Sequence, residues 1–331
     1  MAIVETNNLT KIYGGKFTAV DHISFQVQEG EIFGFLGPNG AGKTTTVHML
    51  CTLTQITEGE AKIAGIDVKK QPDEVRKKIG LVPQDISVDD ELTAKENMEL
   101  HGKLYHMPKN LIQQRIPELL QVVELTEWQN TLVKKFSGGM RRRLEIAEGL
   151  MHRPDILFLD EPTLGLDPAS RASIWEYVRK LNEEGITIFM TTHYMDEADK
   201  LCDRIAIIDY GKIVGIGSPQ ELKGMLGGDV VTVHANDREK FLSHIKTLDF
   251  VTEVLPQENG IRLTVDRGET AIPKLFQEAS RIGVGINNIS LSRPTLDDVF
   301  IKFTGRSLRE EKADRIELFK RMMLMQRRRR Q

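Results

Sequence analysis

The sequence predicts an α/β fold with a mostly parallel sheet core, an antiparallel β part and a helical subdomain, followed by a small α+β domain. Three observations predict it. A continuous apolar run at 31–36 leads straight into a glycine-rich loop and then a helical pattern. Further short apolar runs, at 156–159, 186–190 and 205–208, alternate with stretches of helical period, the mark of a parallel sheet. Beyond a glycine-rich stretch at 224–229, the pattern changes to strand, helix, strand, strand, helix, strand, the order of a ferredoxin-like unit.

The elements follow in chain order. Ile3 and Val4 begin one strand, and 20–27 alternates as a second. The run 31–36 reads as a fully buried strand. Val47, Leu50 and Cys51 then share one helical face. From about 85 to 150 the period is helical, with apolar residues three or four apart near Leu92 and across 97–104, 112–123 and 141–150. Pro117 is expected in a first helical turn, where its missing N–H is harmless. A helix at 174–181 follows the strand 156–159. In the smaller domain, strands are expected at 230–234, 251–255, 261–265 and 286–291, helices at 238–245 and 270–282, and a closing helix at 295–303. The expected division is 1–226, with the helical subdomain at 85–150, then 227–305, then a charged tail at 306–331. In the tail Ile316, Phe319, Met323 and Leu324 share a helical face, and four arginines, 327–330, nearly end the chain.

Composition narrows the function classes. The chain has 331 residues, room for about two domains, with 40% hydrophobic and 28% charged residues. A formal net charge of −3 gives no general reason to expect nucleic-acid binding. Cys51 and Cys202 lie far apart without metal-ligand spacing and read as reduced thiols. The first residues lack a charged start followed by an apolar run, so no signal peptide is expected. No stretch approaches the ~18 apolar residues of a membrane span, so a membrane role is expected to come through a partner or surface attachment.

Two segments carry the chemistry. Gly37-Pro38-Asn39-Gly40-Ala41-Gly42-Lys43-Thr44, followed by Thr45, matches the phosphate-binding loop in full. Its glycines let successive N–H groups point at phosphate oxygens, and the helix that starts there adds its positive end. Lys43 reaches the outer phosphates, and the Thr44 hydroxyl suits Mg²⁺. The second segment is an apolar strand ending in Asp160 and Glu161. At the C-terminal edge of a parallel sheet such carboxylates face the ligand crevice. Asp160 is placed to hold Mg²⁺ and Glu161 to polarise the attacking water. The bland alternatives, a chance glycine turn and a solvated acidic turn, lack the strand-to-helix context.

Residues 1 to about 225 resemble the ATP-binding-cassette family, a P-loop NTPase fold. The resemblance rests on these two segments and five more elements. Phe136-Ser137-Gly138-Gly139-Met140-Arg141 looks like the family's signature loop, which implies binding of the γ-phosphate of ATP held by an opposite subunit. Leu164-Gly165-Leu166-Asp167 resembles the loop that crosses the dimer interface. Gln84 matches the glutamine that senses Mg²⁺ and the attacking water, and His193 after Thr191-Thr192 matches the switch histidine. Tyr13 resembles the aromatic that stacks on adenine, with Val20 beside the ring. Phe136 and Met140 depart from the common Leu-Ser-Gly-Gly-Gln form, and Met140 removes a side-chain amide while the backbone anion site survives.

Between Gln84 and Ser137 there are only about 50 residues, room for a compact helical subdomain and not for a long coiled coil. The runs 137–147, 191–199 and 294–300 resemble the drug- and lipid-export branch typified by daunorubicin-resistance ATPases. The resemblance implies an ATP- and Mg²⁺-dependent ATPase acting as a homodimer on the cytoplasmic face of a membrane, with a separately encoded ABC-2 type permease as partner. It also implies that Gln84 and the helices near 90–120 meet that permease. A non-transport cassette ATPase with a regulatory or nucleic-acid-linked role is the alternative, favoured only by the basic tail. For the tail itself a solvated end, contact with anionic lipid and partner docking all stay open.

Overall fold

A computed structural model describes residues 1–257 and 260–304; the basic tail and the apolar face expected at Ile316, Phe319, Met323 and Leu324 lie outside the described residues. The chain divides into two compact units, Met1–Pro219 and a second that starts at Gln220.

The first unit opens with two long strands, β1 (Ala2–Tyr13) and β2 (Phe17–Gln28), and then β3 (Ile32–Leu36), in which every residue is buried. Helix α1 (Lys43–Leu50), strands β4 (Glu58–Ile63) and β5 (Ile66–Asp67), helix α2 (Pro72–Lys78) and strand β6 (Ile79–Val82) follow. The helical region holds α3 (Ala94–Leu104), α4 (Lys109–Val122) and α5 (Gly138–Gly149). Strand β7 (Ile156–Asp160), helix α6 (Pro168–Glu183), strand β8 (Thr187–Thr192), helix α7 (Met195–Leu201) and strands β9 (Arg204–Asp209) and β10 (Lys212–Gly217) complete it.

These strands form two sheets. One has the order β10-β9-β3-β8-β7-β6, parallel except for β10 at the edge. The other, β2-β1-β4-β5, is antiparallel. The core between them takes Val47, Met49 and Leu50 from α1, Cys51 that caps it, and a cluster of five rings, Phe25, Phe33, Phe35, Phe158 and Phe189. Ring centroids in the cluster lie 5.2 to 6.0 Å apart in stacked and tilted pairs, the offset arrangement aromatic quadrupoles favour. Strands β3, β7 and β8 are buried throughout, which explains why they read as unbroken apolar runs. Their register aligns Leu36 with Thr192 and Asp160 with Thr191, so three C-terminal ends open on one edge.

Several local expectations change. Pro117 lies well inside α4 and not in its first turn. The helix starts earlier, at Lys109 behind Pro108. Pro117 and Gln113 are both exposed, so the carbonyl that loses its helical donor faces solvent. Strands β4 and β6 and helix α2 were not expected; they are four to seven residues long, too short to show a period. In α3, Thr93 and Glu96 form a reciprocal capping box.

The second unit starts inside helix α8 (Pro219–Gly224), ahead of the glycine-rich stretch. It contains strand β11 (Asp229–Ala235), helix α9 (Arg238–Ile245), strands β12 (Val251–Gln257) and β13 (Gly260–Val265), helix α10 (Gly268–Arg281), strand β14 (Ile286–Ser292) and helix α11 (Leu296–Thr304). The sheet order β12-β13-β11-β14 is antiparallel at every pair, the split β-α-β arrangement of a ferredoxin-like unit. Its core joins Val231, Val233, Ile261 and Leu263 to Phe241 of α9 and Leu275 of α10. Asp298 of α11 pairs with Arg262 of β13.

One residue of α5 works against stability. Glu148 is 8% exposed, and among the described residues its side chain has no hydrogen-bond or ion-pair partner. Burial, reinforced by the Glu145 charge, pushes its carboxyl up to about 8. An unfolded glutamate ionises near 4.5, so between these values the folded chain holds the extra proton and stability falls as pH rises. Glu148→Gln is therefore expected to stabilise the protein by about 2–4 kcal/mol at pH 8.5. Denaturant titrations should show that gain shrinking to nothing near pH 4.

Candidate functional site

The edge where β3, β7 and β8 end carries the predicted chemistry. After Leu36 the chain turns through 37–42 before α1 starts at Lys43. Glycine is required at two of these positions. A Cβ on Gly37 would sit 2.3 Å from the Ile208 carbonyl oxygen. Gly42 has φ +109°, and a Cβ there would meet the Ala19 carbonyl oxygen at 2.6 Å.

Lys43 is buried and curls back over its own loop. Its Nζ donates to the carbonyls of Gly37 at 2.8 Å and Pro38 at 3.1 Å, and lies 3.0 Å from Glu161 Oε1. The second oxygen of Glu161 is 3.0 Å from His193 Nδ1. Glu161 follows β7 with φ +48°, a conformation unusual for a residue with a side chain. Thr191 of β8 holds it there: the hydroxyl accepts from the Glu161 N–H at 2.9 Å and donates to Asp160 Oδ1. Burial by itself would raise the Glu161 carboxyl. The His193 hydrogen bond and the Lys43 ammonium outweigh burial and hold it below its usual value.

In front of this group lies a cleft of about 330 Å³. Asn39, Gly40, Gly42, Lys43, Thr44 and Thr45 line its floor, and Tyr13, Gln84 and Glu161 its walls. Gly37, Pro38 and Ala41 are buried behind the loop. Tyr13 is joined by Phe17, its partner across the β1–β2 hairpin, and by Ala19. Val20 does not reach the cleft: it is fully buried in the core, and its neighbour Ala19 takes the cleft-facing position. Strand alternation is the signal that separates the two.

Thr44, Gln84 and Asp160 offer a hydroxyl, an amide carbonyl and a carboxylate, all hard oxygen donors that fit Mg²⁺. Among the described residues no three His, Cys, Asp or Glu cluster as a metal cage.

The remaining predicted residues lie elsewhere. Ser137 caps α5, its hydroxyl accepting from the Met140 N–H at 3.3 Å, and Ser137 and Gly138 are exposed. Asp167 caps α6, accepting from the N–H groups of Ala169 and Ser170 and from the Ser170 hydroxyl. A Cβ on Gly139 would come within 3.0 Å of Ser170 Oγ, so the starts of α5 and α6 adjoin. Neither lines the cleft.

Arg142 escaped the sequence reading. Its guanidinium donates to the carbonyls of Pro83 at 2.6 Å and Gln84 at 2.8 Å and pairs with Glu145, fastening the Gln84 segment to α5. Nothing in the run Arg141-Arg142-Arg143 marks the middle residue as the buried one.

The chain is similar to known proteins in sequence and in fold. A family model described as ABC transporter matches residues 20–164, and one described as the C-terminal domain of DrrA1-3-like ATP-binding proteins matches 217–304. The chain is 42% identical to the daunorubicin resistance ATP-binding protein DrrA2 of Streptomyces coeruleorubidus, over 91% of this chain and 95% of that one. It is 40% identical to the linearmycin resistance ATP-binding protein LnrL of Bacillus subtilis, over 93% of this chain and all of that one. Among solved structures it resembles an ATP-binding cassette captured as a dimer in a post-hydrolysis state with ADP and Pi. The TM-score is 0.59 and the identity 32%, covering 65% of this chain and 98% of that one.

Gly42→Ala tests the loop. The close approach to Ala19 and the positive φ leave no room for the methyl group, so nucleoside triphosphate binding should weaken by more than about tenfold. Titration with a fluorescent ATP analogue measures it.

Proposed function

The chain belongs to the ATP-binding subunits of ABC transporters, and from that premise we propose that it powers an ABC-2 type exporter whose membrane-spanning permease is a separate polypeptide. The observation that carries this reading is the buried connection Lys43–Glu161–His193 at the mouth of the phosphate loop. It gathers a phosphate-binding cation, a carboxylate base and an orienting imidazole in one place.

The residues divide the work as follows. Tyr13 stacks on the adenine, and the N–H groups of 37–45 with Lys43 hold the phosphates. Mg²⁺ held by Thr44, Asp160 and Gln84 would neutralise charge on the outer phosphates. Glu161 accepts a proton from the attacking water, and His193 orients that water and contacts the γ-phosphate. Ser137, Gly138, Gly139 and Met140 offer their helix N-terminus to the ATP of a second copy, with Asp167 at the same interface. That the exposed signature segment lies outside its own chain's cleft supports this exchange. Two identical chains then enclose two ATP molecules, and opening and closing of the pair drives the permease.

Among the described residues no helix is long and apolar enough to cross a membrane. The chain therefore sits on the cytoplasmic face through its permease in this reading. Relatives covering more than nine-tenths of the chain are named for resistance to daunorubicin and to linearmycin. Their different drugs support a cargo choice made by the permease, with a drug- or lipid-like cargo here. The non-transport alternative rested on the tail, which lies outside the described residues.

Glu161→Gln tests the assignment. ATP binding should persist, turnover should fall by roughly 10²–10⁴-fold, and size-exclusion chromatography with ATP should show a trapped dimer. Affinity capture of this variant from native membranes should recover a multi-span membrane protein. Hydrolysis at the wild-type rate would remove Glu161 as the base, and recovery of soluble partners alone would remove the permease.

A further inference from the structure

The contacts of His193 continue past Glu161 into residues with no role so far. Tyr194 packs on His193, with ring centroids 4.1 Å apart and planes 37° apart. The Arg171 guanidinium carbon lies over the other ring contacts of this segment, 4.1 Å from the Tyr194 centroid and 5.3 Å from the Trp175 centroid. Its Nη2 reaches both carboxylate oxygens of Asp196 at 3.3 Å. Its Nε is buried with no hydrogen-bond partner. A guanidinium that leaves one donor unsatisfied is held by its ring contacts more than by ideal hydrogen bonding.

These contacts join two elements of the site. Arg171 sits in the first turn of α6, where its N–H donates to the carbonyl of Asp167, the helix cap, at 2.9 Å. Tyr194 precedes α7 as its N-cap residue and makes no side-chain cap of its own, so its ring is free to pack sideways. Beneath the pair, buried Glu197 accepts from Thr163 and Trp175 at 2.8 Å each. Glu197 thereby fixes α6, α7 and the loop after Glu161 to one another. Tyr194 is the member of this assembly that packs on the His193 ring, and Arg171 reaches it through the Tyr194 ring.

We propose that Arg171 and Tyr194 are positioning residues for His193, holding its imidazole against Glu161 and tying it to the helix turn that Asp167 caps. The proposal rests on the hydrolytic role given to His193 above. Without the Tyr194 ring the imidazole loses the neighbour that limits its rotation, and the contact to Glu161 loosens. Without Arg171 the Tyr194 ring loses its own clamp. Neither residue lines the nucleotide cleft, so the effect belongs on the chemical step and not on ATP affinity.

The test is Mg·ATP hydrolysis by the full chain carrying Arg171→Ala, Arg171→Lys, Tyr194→Ala, Tyr194→Phe and the double alanine change. The expected result is a kcat lowered roughly ten- to a hundredfold in Arg171→Ala and Tyr194→Ala, with KM for ATP within about twofold of wild type. Tyr194→Phe keeps the ring and should keep most of the activity. Arg171→Lys keeps the charge but not the planar group and should resemble Arg171→Ala. The double variant should be no worse than either single, because both act through one contact. Unchanged kcat in either alanine variant, a loss in KM together with thermal stability, or additive losses in the double variant would each overturn the proposal. Hydrolysis by the wild-type chain is the control: its absence would count against the proposed activity itself, whatever the variants do.

Discussion

The buried contact between the Lys43 ammonium and the Glu161 carboxylate is the interaction around which the site is arranged. Taking both charges out of water is costly, and their attraction offsets that cost only with good geometry and further hydrogen bonds. Both conditions are met: Lys43 also donates to two loop carbonyls, and Glu161 is bound by His193 and, through its backbone, by Thr191. The pair therefore stores a choice. In the proposed mechanism, a phosphate that takes Lys43 would remove the charge that neutralises Glu161 and leave the carboxylate to the other donors near it. On that proposal, one ion pair would link substrate arrival to exposure of the base.

That pair exists because of the sheet. Lys43 opens α1 after the turn that follows β3, Glu161 comes just after β7 and His193 just after β8. Parallel register brings Leu36, Asp160 and Thr192 to a common edge. Five phenylalanines packed between the sheets and α1 hold those strands rigid. A change of one residue in register would turn each strand end to the opposite face, so the aromatic packing is a condition of the chemistry.

This explains what was legible in the sequence. The phosphate loop, the strand ending in Asp160 and Glu161, and the segment at His193 are each contiguous, and their spacing reflects local backbone requirements. The fully buried strands could be read because burial on both faces leaves an unbroken apolar run. What was missed depends on contacts between distant segments. Arg142 is defined by carbonyls at 83 and 84, Arg171 by a ring at 194, and Ala19 rather than Val20 by which face of β2 meets the cleft. Pro117 was misplaced because helix α4 gains its stability from buried Ile112, Ile116, Leu119 and Leu120, and that packing carries the helix across a proline its local propensity would reject. The start of the second unit fell before the glycines because Leu226 lines one small cavity with Val230 and Ile301 and Lys302 donates to the Met225 carbonyl, which makes the glycine-rich stretch part of that unit.

The two helix starts outside the cleft complete the argument. Ser137 and Gly138 are exposed at the start of α5, and Asp167 at the start of α6 beside them. Asp167 takes the Ala169 and Ser170 N–H groups at the start of α6, whereas the exposed start of α5 favours an anion, yet the glycine-rich loop of the same chain lies elsewhere. A two-fold pairing presents the same patch from each partner to the other, so each copy can supply what the other lacks. In the proposed dimer each chain would bring two incomplete halves of an ATP site, and a second copy of the same sequence would complete both.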